Sequence, residues 1–158
     1  MFRPMRRIKQ QLPAEECVRI LETERRGVLA VLGDEGYPYA VPLNFYYDPD
    51  SRQIYFHCAK EGHKLDAIAR CEKVCFTVHD EGYLLDGDWG YHVKSVIAMG
   101  RAHVVEDERE RYEKTRRFAL KYFPTEEEVD QDMQRSLPRM ILVAIEIDHM
   151  TGKLVHEK

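Results

Sequence analysis

From residue 28 to residue 58 the chain alternates short apolar runs with clusters of glycine, proline and aspartate, a pattern of strands joined by turns. Strands are predicted over 28–32, 37–47 and 53–58, separated by Gly33-Asp34-Glu35-Gly36 and Asp48-Pro49-Asp50-Ser51. They form an antiparallel meander. Ahead of it, Cys17, Val18, Ile20 and Leu21 supply the apolar stripe of a short helix over 15–25, with Pro13 near its first turn and Gly27 ending it. Behind it, Leu65, Ile68 and Ala69 at i, i+3 and i+4 predict a helix over 64–70. A strand over 74–79 follows, then a loop containing Gly82, Gly87 and Gly90. The run 91–105 reads as a strand pair or one bent strand, with Gly100 at a bulge.

Tyr112, Thr115, Ala119 and Tyr122 share one side of a helix over 107–122, which Pro124 stops. Thr125 with Glu128 fits a capping box for a further helical stretch, ended by Pro138 before a closing strand over 140–147. About six strands, with a return to strand after the helical excursion, are most economically a mainly β fold with added helices: a closed or partly closed six-stranded antiparallel barrel with helices at its periphery. Residues 1–158 read as one domain, without repeat or linker.

Composition narrows the classes of function. Lys and Arg number 24 against 28 Asp and Glu, a net charge of −4 that argues against a broad nucleic-acid surface. A hydrophobic fraction of 44% with 33% charged residues excludes general disorder, and no apolar run approaches the roughly 20 residues of a membrane span. Met1-Phe2-Arg3-Pro4-Met5-Arg6-Arg7 is basic but precedes no apolar segment, so a cytoplasmic protein is expected. Cys17, Cys58, Cys71 and Cys75 show no disulfide-framework spacing and are expected as thiols.

Chemistry concentrates in Ile54-Tyr55-Phe56-His57-Cys58-Ala59-Lys60-Glu61-Gly62-His63-Lys64-Leu65-Asp66, where a strand end and a glycine turn lead into a helix. The first amides of a helix lack partners and its dipole attracts an anion, so the segment meets the physical requirements of a phosphate site, with Lys64 adding charge and His57 and His63 adding donors. A solvated strand-to-helix connection reads equally well. In Tyr37-Pro38-Tyr39-Ala40-Val41-Pro42-Leu43-Asn44-Phe45-Tyr46, Pro42 cannot donate to a ladder, which leaves neighbouring backbone groups for a heteroaromatic edge or marks an ordinary edge strand. Metal binding is disfavoured: the cysteines are spaced C-x3-C, and adjacent His57 and Cys58 point to opposite faces of a strand. Neither a nucleophile elbow nor a Rossmann or P-loop glycine pattern is present.

These motifs, together with Ser95-Val96-Ile97-Ala98-Met99-Gly100-Arg101-Ala102 and Asp148-His149-Met150-Thr151-Gly152-Lys153, resemble the FMN-binding split-barrel proteins related to pyridoxamine 5′-phosphate oxidase, within them the 5-nitroimidazole antibiotic resistance branch. The resemblance spans nearly the whole chain. It implies a homodimer of six-stranded split barrels with FMN at the interface, Val41, Pro42, Leu43 and Asn44 along the ring and ribityl chain, His57 and Lys64 near flavin or phosphate, and Ser95 and Lys153 approaching from neighbouring segments, some of them from the second subunit. The arginines with which pyridoxamine phosphate oxidases hold their substrate have no matching set here, so flavin binding is implied more strongly than that activity.

The function expected on this likeness is an FMN-dependent oxidoreductase that moves electrons from a reduced nicotinamide or other donor to a small electron-poor acceptor such as a nitroaromatic. His57 is the acid or substrate-orienting group in that scheme, or a simple hydrogen-bond donor to the cofactor. The alternative is a flavin- or heme-binding carrier or redox sensor without efficient turnover. Of the aromatic residues, Tyr37, Tyr39, Phe45, Tyr46, Tyr55 and Phe56 fall on the two strands flanking the expected cleft, and strand alternation lets only some of them face it.

Overall fold

The computed structural model describes residues 1–156. Strict alternation of buried and exposed positions in β1 (Arg26–Leu32) and β5 (Lys73–His79) turns one face of each strand inward. With β2 (Pro38–Asn44), β3 (Tyr46–Asp48), β4 (Gln53–Ala59), β6 (Val93–Val104) and β7 (Met140–Val155) they build one antiparallel sheet in the order β2-β1-β5-β6-β7-β4-β3. Leu29, Phe56, Phe76, Val96 and Ile145 lie in its fully buried core. The mainly β barrel with peripheral helices is thus present, with seven strands in place of the six expected.

The extra strand arises at Phe45. The predicted strand over 37–47 is two strands: β2 pairs with β1 and β3 pairs with β4, so the chain passes from one edge of the curled sheet to the other at that residue. Phe45 is completely buried and cannot belong to either ladder. The closing strand is also twice as long as predicted, because Thr151, Lys153 and Val155 continue to pair with β6 beyond the bulge at Met99/Gly100. That bulge falls where Gly100 was expected to place one. A β-carbon there would collide with the Glu146 carbonyl, so only glycine permits the approach. Gly27 sits inside β1, pressed against the Phe76 ring, and does not terminate the preceding helix.

Among the described residues, four α-helices surround the sheet. In α1 (Ala14–Thr23), Cys17, Ile20 and Leu21 at i, i+3 and i+4 are buried against the barrel. A short α2 (His63–Arg70) follows β4, with Ala67 and Ile68 inward. Asp107 caps α3 (Glu108–Leu120) by accepting from the Glu110 N–H, and Thr125 caps α4 (Glu126–Ser136) by accepting from the Glu128 N–H. A 3₁₀ turn at Leu137–Arg139 carries Pro138 into β7.

Helix α3 is fastened to the barrel near its middle and at its end, besides the bond from the Tyr55 hydroxyl to Glu110 in its first turn. Near its middle, Lys114 Nζ lies 2.6 Å from the fully buried Asp48 carboxylate, which also accepts from Ser51 Oγ at 2.6 Å. Burial raises the Asp48 carboxyl, but Lys114 and Ser51 outweigh it and hold the group below the ordinary aspartate range. At the helix end, the Phe45 N–H donates to the Tyr122 hydroxyl at 3.0 Å. The single proton of that hydroxyl is shared between the Phe45 carbonyl, 2.7 Å away, and the Arg25 carbonyl. Lys121 Nζ stands 4.3 Å from the Phe45 ring centroid and donates to the Leu21 and Glu24 carbonyls at the end of α1. In return, the Arg25 guanidinium donates to the Lys121 and Tyr122 carbonyls.

Replacing Tyr122 by Phe leaves the Phe45 backbone unsatisfied and is expected to lower stability by about 1–3 kcal/mol. Urea unfolding measures it, and an unchanged midpoint would refute this role for the hydroxyl. Burial pulls the Lys121 ammonium down from 10.5 to about 8. Because the folded chain then sheds this proton before the unfolded chain does, stability attributable to Lys121 rises as pH climbs from about 8 toward 10.5. The Lys121→Met protein should lack that rise when the two are compared by denaturation across this range.

Candidate functional site

Strand β3 is only three residues long and covers Gln53–Tyr55 of β4, so residues 56–59 of β4 keep one edge without a strand partner. Strand β2 likewise pairs on one side only. A cavity of about 860 Å³ lies at the divergence of these two edges, lined by Val41, Pro42, Leu43 and Asn44 from β2 and by His57, Cys58 and Ala59 from β4. Such a volume is within the range of roughly 300–1,000 Å³ of small-molecule and cofactor sites. The unpaired N–H and C=O groups of a strand edge suit the alternating donors and acceptors at the rim of a flat heterocycle.

Strand alternation aims the β4 side chains. Ile54, Phe56 and Cys58 pack with the barrel core, while Tyr55 and His57 turn to the outer face beneath α3. The His57 ring meets Phe118 edge-on, with centroids 4.9 Å apart. Although its surface is open to the cavity, the surrounding walls strip enough water to lower its pKa from 6.5, a fall that the Asp132 carboxylate partly offsets. Burial pushes the Cys58 thiol up, against the pull of nearby Lys64.

At one end stands the start of α2. Gly62 adopts φ 138°, a conformation open to glycine alone, and its carbonyl accepts from the Leu65 and Asp66 amides. The His63 and Lys64 amides precede the first intrahelical bond, and the half-buried Lys64 side chain enters the cavity wall. Lys64, an open helix N-terminus and two free strand edges are the donor set that an aromatic ring bearing a phosphate requires.

The residues singled out from the sequence divide into two groups. Val41, Pro42, Leu43, Asn44, His57 and Lys64 line this cavity together. Ser95 and Lys153, paired in register on β6 and β7, line another cavity of about 290 Å³ beside Phe2 and Arg3. His63 joins neither group. It stacks on Tyr39 with centroids 4.1 Å apart, and its Nε2 lies 3.3 Å from the Asp34 carboxylate, which Arg70 also binds at 2.7 Å. The expected donor from His63 is therefore directed to a carboxylate on the barrel.

The aromatic wall is also displaced. None of Tyr37, Tyr39, Phe45, Tyr46, Tyr55 and Phe56 lines the cavity; Phe118, Tyr122 and Phe123 at the end of α3 do. The opposite wall is α4, through Asp132, Met133 and Ser136. Its signal in the sequence is faint: Asp132 and Ser136, at i and i+4, adjoin the buried Val129 and Met133 that anchor the helix. Among the described residues no cluster of three or more His, Cys, Asp or Glu is arranged for a metal, and no helix is long and apolar enough to cross a membrane.

Residues 13–154 match the family model of pyridoxamine 5′-phosphate oxidase. Among solved structures, a candidate 5-nitroimidazole antibiotic resistance protein from Bacteroides thetaiotaomicron is 22% identical, with 94% of this chain and 90% of that one covered at a TM-score of 0.75. The flavocytochrome Anf3 from Azotobacter vinelandii is 20% identical, with 98% and 75% covered at a TM-score of 0.78. An FAD-binding protein from Mesorhizobium loti is 21% identical, with 94% and 97% covered at a TM-score of 0.68. At these identities the likeness establishes the shared fold. A comparison with curated proteins finds no significant match.

Desolvation lowers the pKa of His57 from its ordinary value of 6.5. NMR titration of its ring proton should give a midpoint below the 6.5 of an ordinary histidine, and a midpoint at or above that value would contradict the burial described.

Proposed function

The chain belongs to the pyridoxamine 5′-phosphate oxidase family, and on that premise we propose that it is an FMN-binding oxidoreductase that reduces small electron-poor acceptors such as nitroaromatics. The observation that carries this reading is the convergence of two unpaired strand edges, Lys64 and the α2 N-terminus on one cavity large enough for a cofactor. A flavin-binding relative of the same fold is consistent with it.

In this reading the free edge over Val41–Asn44 binds the polar rim of the flavin ring, and Lys64 with the first α2 amides holds the phosphate. Phe118 and Tyr122 cover the ring side and exclude water, while His57 holds a proton for the acceptor. Flavin held there would supply the two-electron redox chemistry between a reduced nicotinamide and the acceptor. For a nitro group, a hydride and one proton convert it to a nitroso group and water.

Ser95 and Lys153 cannot reach the same ligand within one chain if they serve it from their separate cavity. A homodimer in which a second copy brings them to the flavin reconciles the two cavities. Ile97 and Met99, apolar and exposed beside Ser95 on β6, supply surface for that contact.

The purified protein should be yellow, release FMN on denaturation, and oxidise NADH or NADPH when a nitroimidazole is present. Flavin that stays oxidised under anaerobic excess donor would support the carrier alternative, a Soret band would indicate heme, and released FAD would exclude the FMN assignment. Loss of the Lys64 charge removes a charge-assisted hydrogen bond worth about 1.5–3 kcal/mol, so Lys64→Ala should weaken FMN binding roughly 10- to 100-fold. Unchanged affinity would place the phosphate elsewhere.

A further inference from the structure

Helix α4 contributes a carboxylate that the flavin-binding scheme leaves unused. Asp132 lines the cavity opposite β4, is only partly exposed, and accepts from Ser136 Oγ at 3.0 Å through its Oδ1. Among the described residues it makes no ion pair. A carboxylate kept in a cavity, oriented by one hydroxyl and matched to no cation, retains its field for whatever else faces that cavity.

The other ionisable side chains on the walls are few. Lys64 comes from α2, Tyr122 from α3, Arg139 from the 3₁₀ turn, and His57 and Cys58 from β4; the β2 wall has none. Arg139 is partly engaged, its Nε donating to the Arg135 carbonyl at 3.0 Å. Lys64 acts on Cys58, while Asp132 is the charge that acts on His57.

We propose that Asp132 is the positioning residue for His57: held by Ser136 on α4, its carboxylate lines the same cavity as the imidazole and stabilises the protonated ring that delivers a proton to the bound acceptor. The proton step rests on the oxidoreductase reading above, whereas the pairing of Asp132 with His57 does not. In that step an imidazolium N–H bond breaks and an O–H bond forms on the acceptor oxygen. The ring, now neutral, regains its proton from solvent, and the two electrons arrive with the hydride. The task of the carboxylate is to oppose the desolvation that would otherwise leave His57 without a proton to give.

The pairing is tested on the flavin-free protein by NMR titration of His57, assigned by the signal lost in His57→Gln. The Asp132→Asn protein should titrate at lower pH than the wild type, whereas Ser136→Ala, which keeps the charge, should titrate close to it. Asp132→Ser replaces the Asn variant should thermal melts show that the latter does not fold. A His57 midpoint unmoved by neutralising Asp132 would overturn the pairing whatever the cofactor proves to be.

In the loaded enzyme, the fall of kcat with rising pH should move to lower pH in Asp132→Asn, with KM little changed. A profile that keeps its position would overturn the proton-delivery role. Absence of flavin binding beside a shifted His57 titration would refute the oxidoreductase reading while leaving the electrostatic pair intact, so the two failures are distinguishable.

Discussion

The site exists because two strand edges are kept from meeting. In an antiparallel sheet that curls on itself, unpaired edges find partners unless something blocks the ladder. Here the block is the passage of the chain at Phe45, whose amide and carbonyl are both occupied by the Tyr122 hydroxyl. One side chain at the end of α3 thus satisfies the backbone that would otherwise continue β2 into β3. The same residue forms part of the cavity wall, so the device that opens the barrel also lines the opening. Lys121 and Arg25 tie this point to the end of α1 by reciprocal caps, which couples the split to the helix that seals the barrel core.

The electrostatics of the cavity follow from which elements reach it. Positive potential enters from α2 through Lys64 and the unpaired amides and from the 3₁₀ turn through Arg139, and negative potential enters from α4 through Asp132, with His57 on β4 against the Phe118 ring of α3. A net charge of −4 says nothing of this arrangement, since it is the sum of groups that mostly lie elsewhere. Asp34 is one such group: it draws His63 and Arg70 onto the barrel surface and leaves Lys64 as the side-chain cation of that helix turn on the cavity wall.

Much of the fold was legible because local signals were strong. The alternation in β1 and β5 and the Asp107 and Thr125 caps depend on neighbours within a few residues, and the Gly100 bulge was marked by the glycine itself. The division at Phe45 was not legible, since 37–47 is continuously strand-like and the break depends on Tyr122, 77 residues away. The extension of β7 past Ile147 was hidden for a similar reason: Gly152 and Lys153 have little strand propensity and are held by a register with β6. Within the site, β2, His57 and Lys64 announced themselves through short motifs, while the α3 and α4 walls depend on how two amphipathic helices pack across β4. The aromatic residues misled because alternation placed Tyr55 under α3 and Phe56 in the core.

Family membership and site chemistry carry different parts of the functional conclusion. The shared fold gives the barrel and its split, and a common fold hosts many activities. What this chain adds is a cavity with Lys64 and a helix N-terminus at one end, a histidine on β4 and a carboxylate on α4. On the proposed reading, the α2 end of this cavity receives a phosphate joined to a flat ring. The most direct measurement is the quenching of flavin fluorescence during parallel titrations with FMN and with riboflavin, which differ only in that phosphate. FMN should bind at least about tenfold more tightly, the difference expected of one charge-assisted contact. Equal affinity for the two would contradict the account.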